Sequence, residues 1–133
     1  MKITDVKTQD IRFPTSKDNL GTDAVHIDCD YSATYVTIFT DKEDLNGIGL
    51  TFTIGKGNDL CCTVIEYFKE FIIGKDIQDI EKNIASIWEK ITNHSQLRWV
   101  GPQKGVTHLA AAAFFNAIWA VSYTHLRAHE TVV

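Results

Sequence analysis

The sequence predicts an α+β fold, a three-stranded antiparallel sheet followed by a helical subdomain. Three observations predict it. The first half carries short runs of β-branched and aromatic residues bounded by turn residues, the pattern of strands. The second half repeats its apolar residues at intervals of three and four, the pattern of amphipathic helices. An Asn46-Gly47 turn signal joins two of the strand segments too closely for a crossover helix, so those two strands pair antiparallel. The chain has 133 residues, 44% hydrophobic and 23% charged, which suits one globular domain.

Lys2 to Phe13 reads as the first strand. Ile3, Ile11 and Phe13 share one parity, but Asp5, Lys7 and Gln9 interrupt it, so the strand is two short pieces or shifts phase. Residues 13–31, FPTSKDNLGTDAVHIDCDY, form a connection far longer than a hairpin turn, with Pro14, Gly21, four aspartates and His26. A long polar loop held between strands is where function concentrates, because the scaffold fixes its ends. Val25, Ile27 and Tyr31 offer anchors that a disordered insertion lacks. Ala33 to Thr40 is the second strand, residues 41–47 (DKEDLNG) are turn, and Ile48 to Ile54 is the third strand.

Gly55-Lys56-Gly57 breaks the strand. Asn58 or Asp59 then caps a helix running to about Ile73, with Val64, Ile65, Phe68, Phe71 and Ile72 at helical spacing and Gly74 as its stop. Asp79 to Ile91 reads as a second amphipathic helix, Ile80, Ile84, Ile87, Trp88 and Ile91 sharing a face. Ser95 to Lys104 is a loop centred on Gly101-Pro102. From Gly105 the chain turns small and apolar, and four consecutive alanines beside Phe114, Phe115 and Trp119 predict a helix packed closely on a larger body.

Composition excludes several function classes. The net charge is −4 and no basic patch stands out, which argues against nucleic acid. The charged start MKITDVKTQDIRF has no apolar core of a secretory signal, and the longest apolar run, from Leu109, is too short to cross a membrane. Cys29, Cys61 and Cys62 make neither a disulfide framework nor a metal knuckle, which fits a reducing cytoplasm.

Candidate chemistry is sparse. His125 and His129 stand four apart with Glu130 adjacent, but the general-base glutamate of a zincin follows the first histidine directly, where Leu126 stands here. His94, Gln96 and Arg98 precede a Trp-Val-Gly-Pro stretch and read as packing, with Arg98 able to stack on Trp99 or to pair a carboxylate. His108 reads as a satisfied interface histidine. Gly55-Lys56-Gly57 lacks the spacing of a phosphate loop, although Lys56 can face an anion. Asp23, Asp28 and Asp30 can meet a cation or sugar hydroxyls but lack the glycine and terminal glutamate of a calcium loop. No nucleophile comes with a base, so the residues alone give no catalytic set.

Three stretches carry more: IRFPTS…GTDAVHIDCDYSATYV, GIGLTFTIGKG and QLRWVGPQKGVTHLAAAAFFNAIWA. Together they resemble the N-terminal capping domain of the L-fuconate dehydratases, in the mandelate racemase-like branch of the enolase superfamily. The resemblance covers about residues 1 to 120. It implies a cap over a (β/α)8 barrel that is absent from this sequence, and dehydration of L-fuconate to its 2-keto-3-deoxy acid. It implies Mg²⁺ and proton-transfer groups on that barrel, none of them bound or supplied by this chain, which is then inactive alone. It implies an acid-sugar substrate touched by Gly21, Thr22, Asp23 and Tyr31, no catalytic or metal-binding residue here, and a homo-oligomeric parent. The other readings are the cap of a related acid-sugar dehydratase and a stand-alone, non-catalytic interaction module. After Ala120 the string SYTHLRAHET resembles translated sequencing-adapter DNA, so residues 121–133 are expected to be a non-native tail.

Overall fold

The computed structural model describes the backbone of residues 1–100 and 104–130, and side chains as far as residue 127. Strands β1 (Ile3–Ile11), β2 (Ser32–Thr40) and β3 (Gly47–Thr53) form one antiparallel sheet in the order β1-β2-β3. Helices α1 (Asn58–Phe68), α2 (Ile77–Lys82), α3 (Ile84–Thr92) and α4 (Val106–Glu130) follow. The α+β expectation holds, and so does the hairpin of the second and third strands.

β1 is shorter than expected and does shift phase. Its register with β2 slips between Ile3 and Asp5, so the buried residues are Ile3 and Val6, on opposite parities. A bulge of this kind flips which face a strand residue meets. Ile11 is half-buried, and Phe13, grouped with them by parity, is exposed.

β3 inverts the usual alternation. Its small residues Gly47, Gly49, Thr51 and Thr53 face the core, while Ile48, Leu50 and Phe52, with Ile54 just beyond, face out. The reason is α4. Its backbone lies so close to β3 that a Cβ on Gly49 would stand 2.5 Å from Ala117 N, and one on Gly47 2.7 Å from Val121 N. Ala110, Ala113 and Ala117 are fully buried in that contact. The alanine run therefore serves close packing on the chain's own sheet rather than on a separate body. Phe114 carries the bulk, meeting Phe68 edge-on at 5.6 Å between centroids. Each such fully buried side chain stabilises the fold by about 1.5–3 kcal/mol.

The helices depart from expectation in three places. α1 stops at Phe68 and tightens into a 3₁₀ turn, Lys69–Phe71, before Gly74 (φ +79°) ends the segment. Its N-cap is Gly57, with Asn58 already helical and making no cap bond. The helix expected over Asp79–Ile91 is two helices. Asn83 leaves helical geometry at φ −111° and ψ 15°, and its amide Nδ2 donates to Asp79 O at 2.8 Å, a local side-chain bond that competes with the helix. Asp76 caps α2 by accepting from Gln78 N, and it also receives the Met1 ammonium at 2.7 Å.

α4 runs unbroken past residue 120 and buries Val121 and Ser122, the latter bonded to Glu81. Its stretch Val106–Arg127, of mean hydropathy 1.3, has the length and composition to cross a membrane, unlike the apolar run from Leu109 that the sequence alone shows as too short; half of it is buried against this fold, as in a core helix. The Gly101-Pro102 turn and the side chains of His129 and Glu130 lie outside the described residues.

Candidate functional site: the first loop and the turn after the third strand

The connection between β1 and β2 is closed at its neck by short polar side chains. Thr15 Oγ1 donates to Cys29 O at 2.9 Å and accepts from Tyr31 N at 3.1 Å. Asp30 accepts from Ser16 N at 3.1 Å and Ser16 Oγ at 2.6 Å, while Ser32 Oγ donates to Asp30 O at 2.6 Å and accepts from Phe13 N at 3.2 Å. These bonds satisfy backbone groups that a loop otherwise leaves to water. The Ser16 hydroxyl and amide hold the Asp30 carboxyl below its ordinary value. Val25 and Ile27 are not anchors: they are 81% and 72% exposed, and the neck is held by the polar set and by buried Cys29.

At the tip the four expected contact residues are partly assembled. Tyr31 Oη donates to Gly21 O at 2.6 Å, and Gly21 adopts φ +72°, where a Cβ would overlap the Tyr31 ring. Tyr31 in turn stacks on Phe52 of β3 with centroids 5.6 Å apart. Thr22 Oγ1 donates back to Asn19 O at 3.0 Å. Asp23 closes its own turn, Oδ1 accepting from Val25 N at 2.8 Å and His26 N at 2.7 Å, and these donors hold the carboxyl below its ordinary value. Burial, then Cys29, pushes the Tyr31 phenol up, so it stays protonated. Asp23 is therefore an acceptor, and the Tyr31 oxygen, its proton committed to Gly21, has lone pairs left to accept.

Beside the neck lies an open cleft of about 440 Å³, lined among others by Arg12, Ser16, Asp28, Asp30, Gly55 and Lys56. The turn after β3 forms its far wall, docked by Asp30 N donating to Ile54 O at 3.1 Å. Arg12 is held by Asp10 at 2.9 Å and Asp59 at 3.3 Å. The cleft thus offers charges of both signs and suits a hydroxyl-rich, charged small molecule. Gly21, Thr22 and Asp23, at the loop tip, and Tyr31, which reaches the tip from the neck, stand outside this lining. Of the three aspartates considered together, Asp28 and Asp30 meet in the cleft and Asp23 does not.

Asn58 is the residue that sequence reading mistook. Its buried side chain accepts from Thr53 Oγ1 and donates to Asp10 Oδ1 at 3.0 Å and Ile11 O at 3.2 Å, while its carbonyl accepts from Thr34 Oγ1 at 3.1 Å. One residue ties all three strands to α1, its side-chain amide holding β1 and β3 and its main-chain carbonyl holding β2. A polar residue after Gly-Lys-Gly reads as a cap, and only tertiary contact distinguishes the two roles. His94 and His108 serve local structure. His94 Nδ1 accepts from Gln96 N and Leu97 N at 3.2 Å, and His108 Nδ1 accepts from Lys104 N at 3.3 Å. Arg98 lies 5.2 Å from the Trp99 ring centroid, the expected stacking. Among the described residues no group of three His, Cys, Asp or Glu side chains gathers as a metal site.

A meander sheet backed by helices, with its long first loop and the turn after the third strand meeting at one cleft, is the architecture of an enolase-superfamily N-terminal capping domain. Known proteins agree. No family model matches the chain. Mitochondrial enolase superfamily member 1 from Xenopus laevis is 48% identical over 119 residues, 89% of this chain and 27% of that protein. The human counterpart is 44% identical over the same span, and its crystal structure superposes with a TM-score of 0.83, covering 89% of this chain and 27% of that one. L-galactonate dehydratase from Hypocrea jecorina is 44% identical over 117 residues, 88% of this chain and 26% of the enzyme. L-talarate dehydratase from Polaromonas sp. JS666, solved with Mg and L-glucarate, shares the fold at 20% identity and a TM-score of 0.64, over 94% of this chain and 29% of that one. The chain thus spans about a quarter of the curated relatives it matches, and its fold is that of an enolase-superfamily N-terminal capping domain.

Proposed function

We propose that this chain is the specificity cap of an acid-sugar dehydratase, and that its substrate is L-fuconate. The observation that carries the reading is 44% identity over 117 residues to an L-galactonate dehydratase. L-Fuconate is the 6-deoxy counterpart of L-galactonate, so the two differ at the end of the chain remote from the carboxylate. In this reading Gly21, Thr22, Asp23 and Tyr31 meet the sugar hydroxyls: Asp23 and Tyr31 accept, and Gly21 allows close backbone approach. The loop and the turn after β3 exclude water from a reaction whose chemistry lies elsewhere.

Dehydration removes a proton α to the carboxylate and a hydroxyl from the adjacent carbon, and the resulting enol gives the 2-keto-3-deoxy acid. Mg²⁺ would stabilise the charge that develops on the carboxylate. The described residues of this chain do not fit a metal, so the ion and the proton-transfer groups are assigned to a barrel partnered with this cap.

Two experiments test the reading. The 133-residue chain alone is expected to form no keto acid from L-fuconate or L-galactonate, and measurable product would overturn the division of labour. A chimera carrying residues 1–119 in place of the matching segment of the human relative is expected to dehydrate L-fuconate. In that chimera Asp23→Ala is expected to lower kcat/KM about tenfold or more with Mg²⁺ affinity unchanged, and unchanged kinetics would remove Asp23 from the site. That residues 121–133 are a non-native tail is tested by an independent read of the coding DNA around codon 120.

A further inference from the structure

We infer that Asp30 is a positioning residue, joining the first loop and the turn after β3 into one unit that opens and closes as a whole. Three contacts inside the chain lead there, one from each polar group of Asp30. Its carboxylate Oδ1 accepts from Ser16 N at 3.1 Å and Ser16 Oγ at 2.6 Å, which holds the start of the loop. Its main-chain N–H donates to Ile54 O at 3.1 Å, which holds the turn. Its main-chain carbonyl accepts from Ser32 Oγ at 2.6 Å, which stands the joint on β2.

The turn is shaped to sit there. Gly55 adopts φ +116°, a conformation that disfavours any side chain, and a Cβ on it would stand 3.1 Å from Asp30 Cβ and 3.3 Å from Asp30 O. Glycine thus lets the turn rest directly on Asp30. From its other side the turn is held by Thr53, whose hydroxyl accepts from Gly55 N at 3.2 Å and donates to the buried Asn58 side chain. Ser16 serves the loop and Thr53 the turn, and Asp30 is the residue that both share.

Segments that share an anchor open as one cooperative unit rather than separately. Ser16 and Asp30 line the cleft from the loop, and Ile54, Gly55 and Lys56 line it from the turn, so this joint sets the spacing between the two. For a specificity cap the consequence is that loop and turn meet the substrate in one fixed geometry, a consequence that rests on the dehydratase reading above. The joint itself does not rest on it.

Amide hydrogen exchange on the 133-residue chain, followed by NMR, tests the joint. Ser16→Ala alters only the loop, and is expected to raise exchange about tenfold at Asp30 N and Gly55 N while the β2 amides keep their protection. Gly55→Ala alters only the turn, and is expected to raise exchange by a similar factor at Ser16 N and Tyr31 N. Exchange that quickens only in the mutated segment would overturn the proposal. In the chimera described above, Asp30→Ala is expected to raise KM about fivefold or more with kcat within about twofold, and Asp30→Asn, which keeps an acceptor for Ser16, to restore most of the loss. An Asp30→Asn variant as impaired as Asp30→Ala would make the charge itself the working group and overturn the positioning role. A chimera inactive even with Asp30 in place would refute the substrate reading instead, and the exchange experiment then decides the joint by itself.

Discussion

Replacing Asn58 by alanine should destabilise the domain by about 2–4 kcal/mol. The amide is fully buried and makes three side-chain hydrogen bonds, to Thr53, Asp10 and Ile11. Alanine removes all three and leaves the Ile11 carbonyl without its amide donor. A neutral hydrogen bond contributes about 0.5–1.5 kcal/mol, one to a charged group about 1.5–3, and an orphaned buried polar group costs about 1–3. Partial compensation by water, and by Arg12, which still pairs with Asp10, keeps the total below the sum. Urea unfolding followed by circular dichroism measures the effect. With a slope of about 1–3 kcal/mol/M the midpoint should fall by about 1–2 M at constant slope. Hydrogen exchange should also quicken at residues 11–13 and 53–57, because the amide joins those segments. A midpoint shift below about 0.3 M would refute the hub assignment, since exposed polar substitutions already reach that size.

Other expectations follow from the same geometry. Gly49→Val places side-chain atoms inside the α4 backbone, at Ala113 O and Ala117 N, and should cost about 3 kcal/mol or more or abolish folding in thermal unfolding. Gly21→Ala, at φ +72° and against the Tyr31 ring, should break the Tyr31–Gly21 bond and raise exchange across residues 19–31 while the unfolding midpoint of the sheet stays put. Asp30 has a folded pKa below its ordinary 3.8, so the unfolded chain takes up the proton first. Its contribution is present above pH 3.8 and lost as pH falls through the folded value, so loop protection should drop below about pH 4. Asp30→Asn should remove that pH dependence, and an unchanged acid limb in the variant would show that another group governs it.

How much of this was legible in the sequence depended on whether a residue's role is local. The strands, the hairpin of the second and third strands and the Gly74 stop are decided within a few residues, so propensity and turn chemistry found them, although the turn falls at Lys42–Leu45 and Gly47, expected in it, already belongs to β3. The long first loop was legible as a loop because its length alone excludes a tight turn. Its internal architecture was not. Val25 and Ile27 look like anchors by hydrophobicity, yet Thr15, Ser16, Asp30 and Ser32 hold the neck, because closing a loop requires partners for backbone groups before it requires apolar burial. Asn58 misled for the converse reason. Its local context is that of a cap, and its partners lie as far as 48 residues away.

β3 shows the limit of periodicity most clearly. GIGLTFT alternates well, and the alternation correctly gives a strand, but the rule that the apolar set faces the core assigns its faces backwards. The core face of a strand is set by what lies against it. Here that is a helix whose alanines bring its backbone close to β3, where only Gly47 and Gly49 leave room. The small residues of α4 and of β3 are one feature read twice, each looking unremarkable without the other. Once the glycines are committed inward, pleat geometry forces Ile48, Leu50 and Phe52 outward whatever their hydrophobicity. The uncovered stripe is thus a consequence of the tight helix–sheet contact. Gly49→Val cannot simply be traded against a less apolar outer face, because the two faces are fixed by one register.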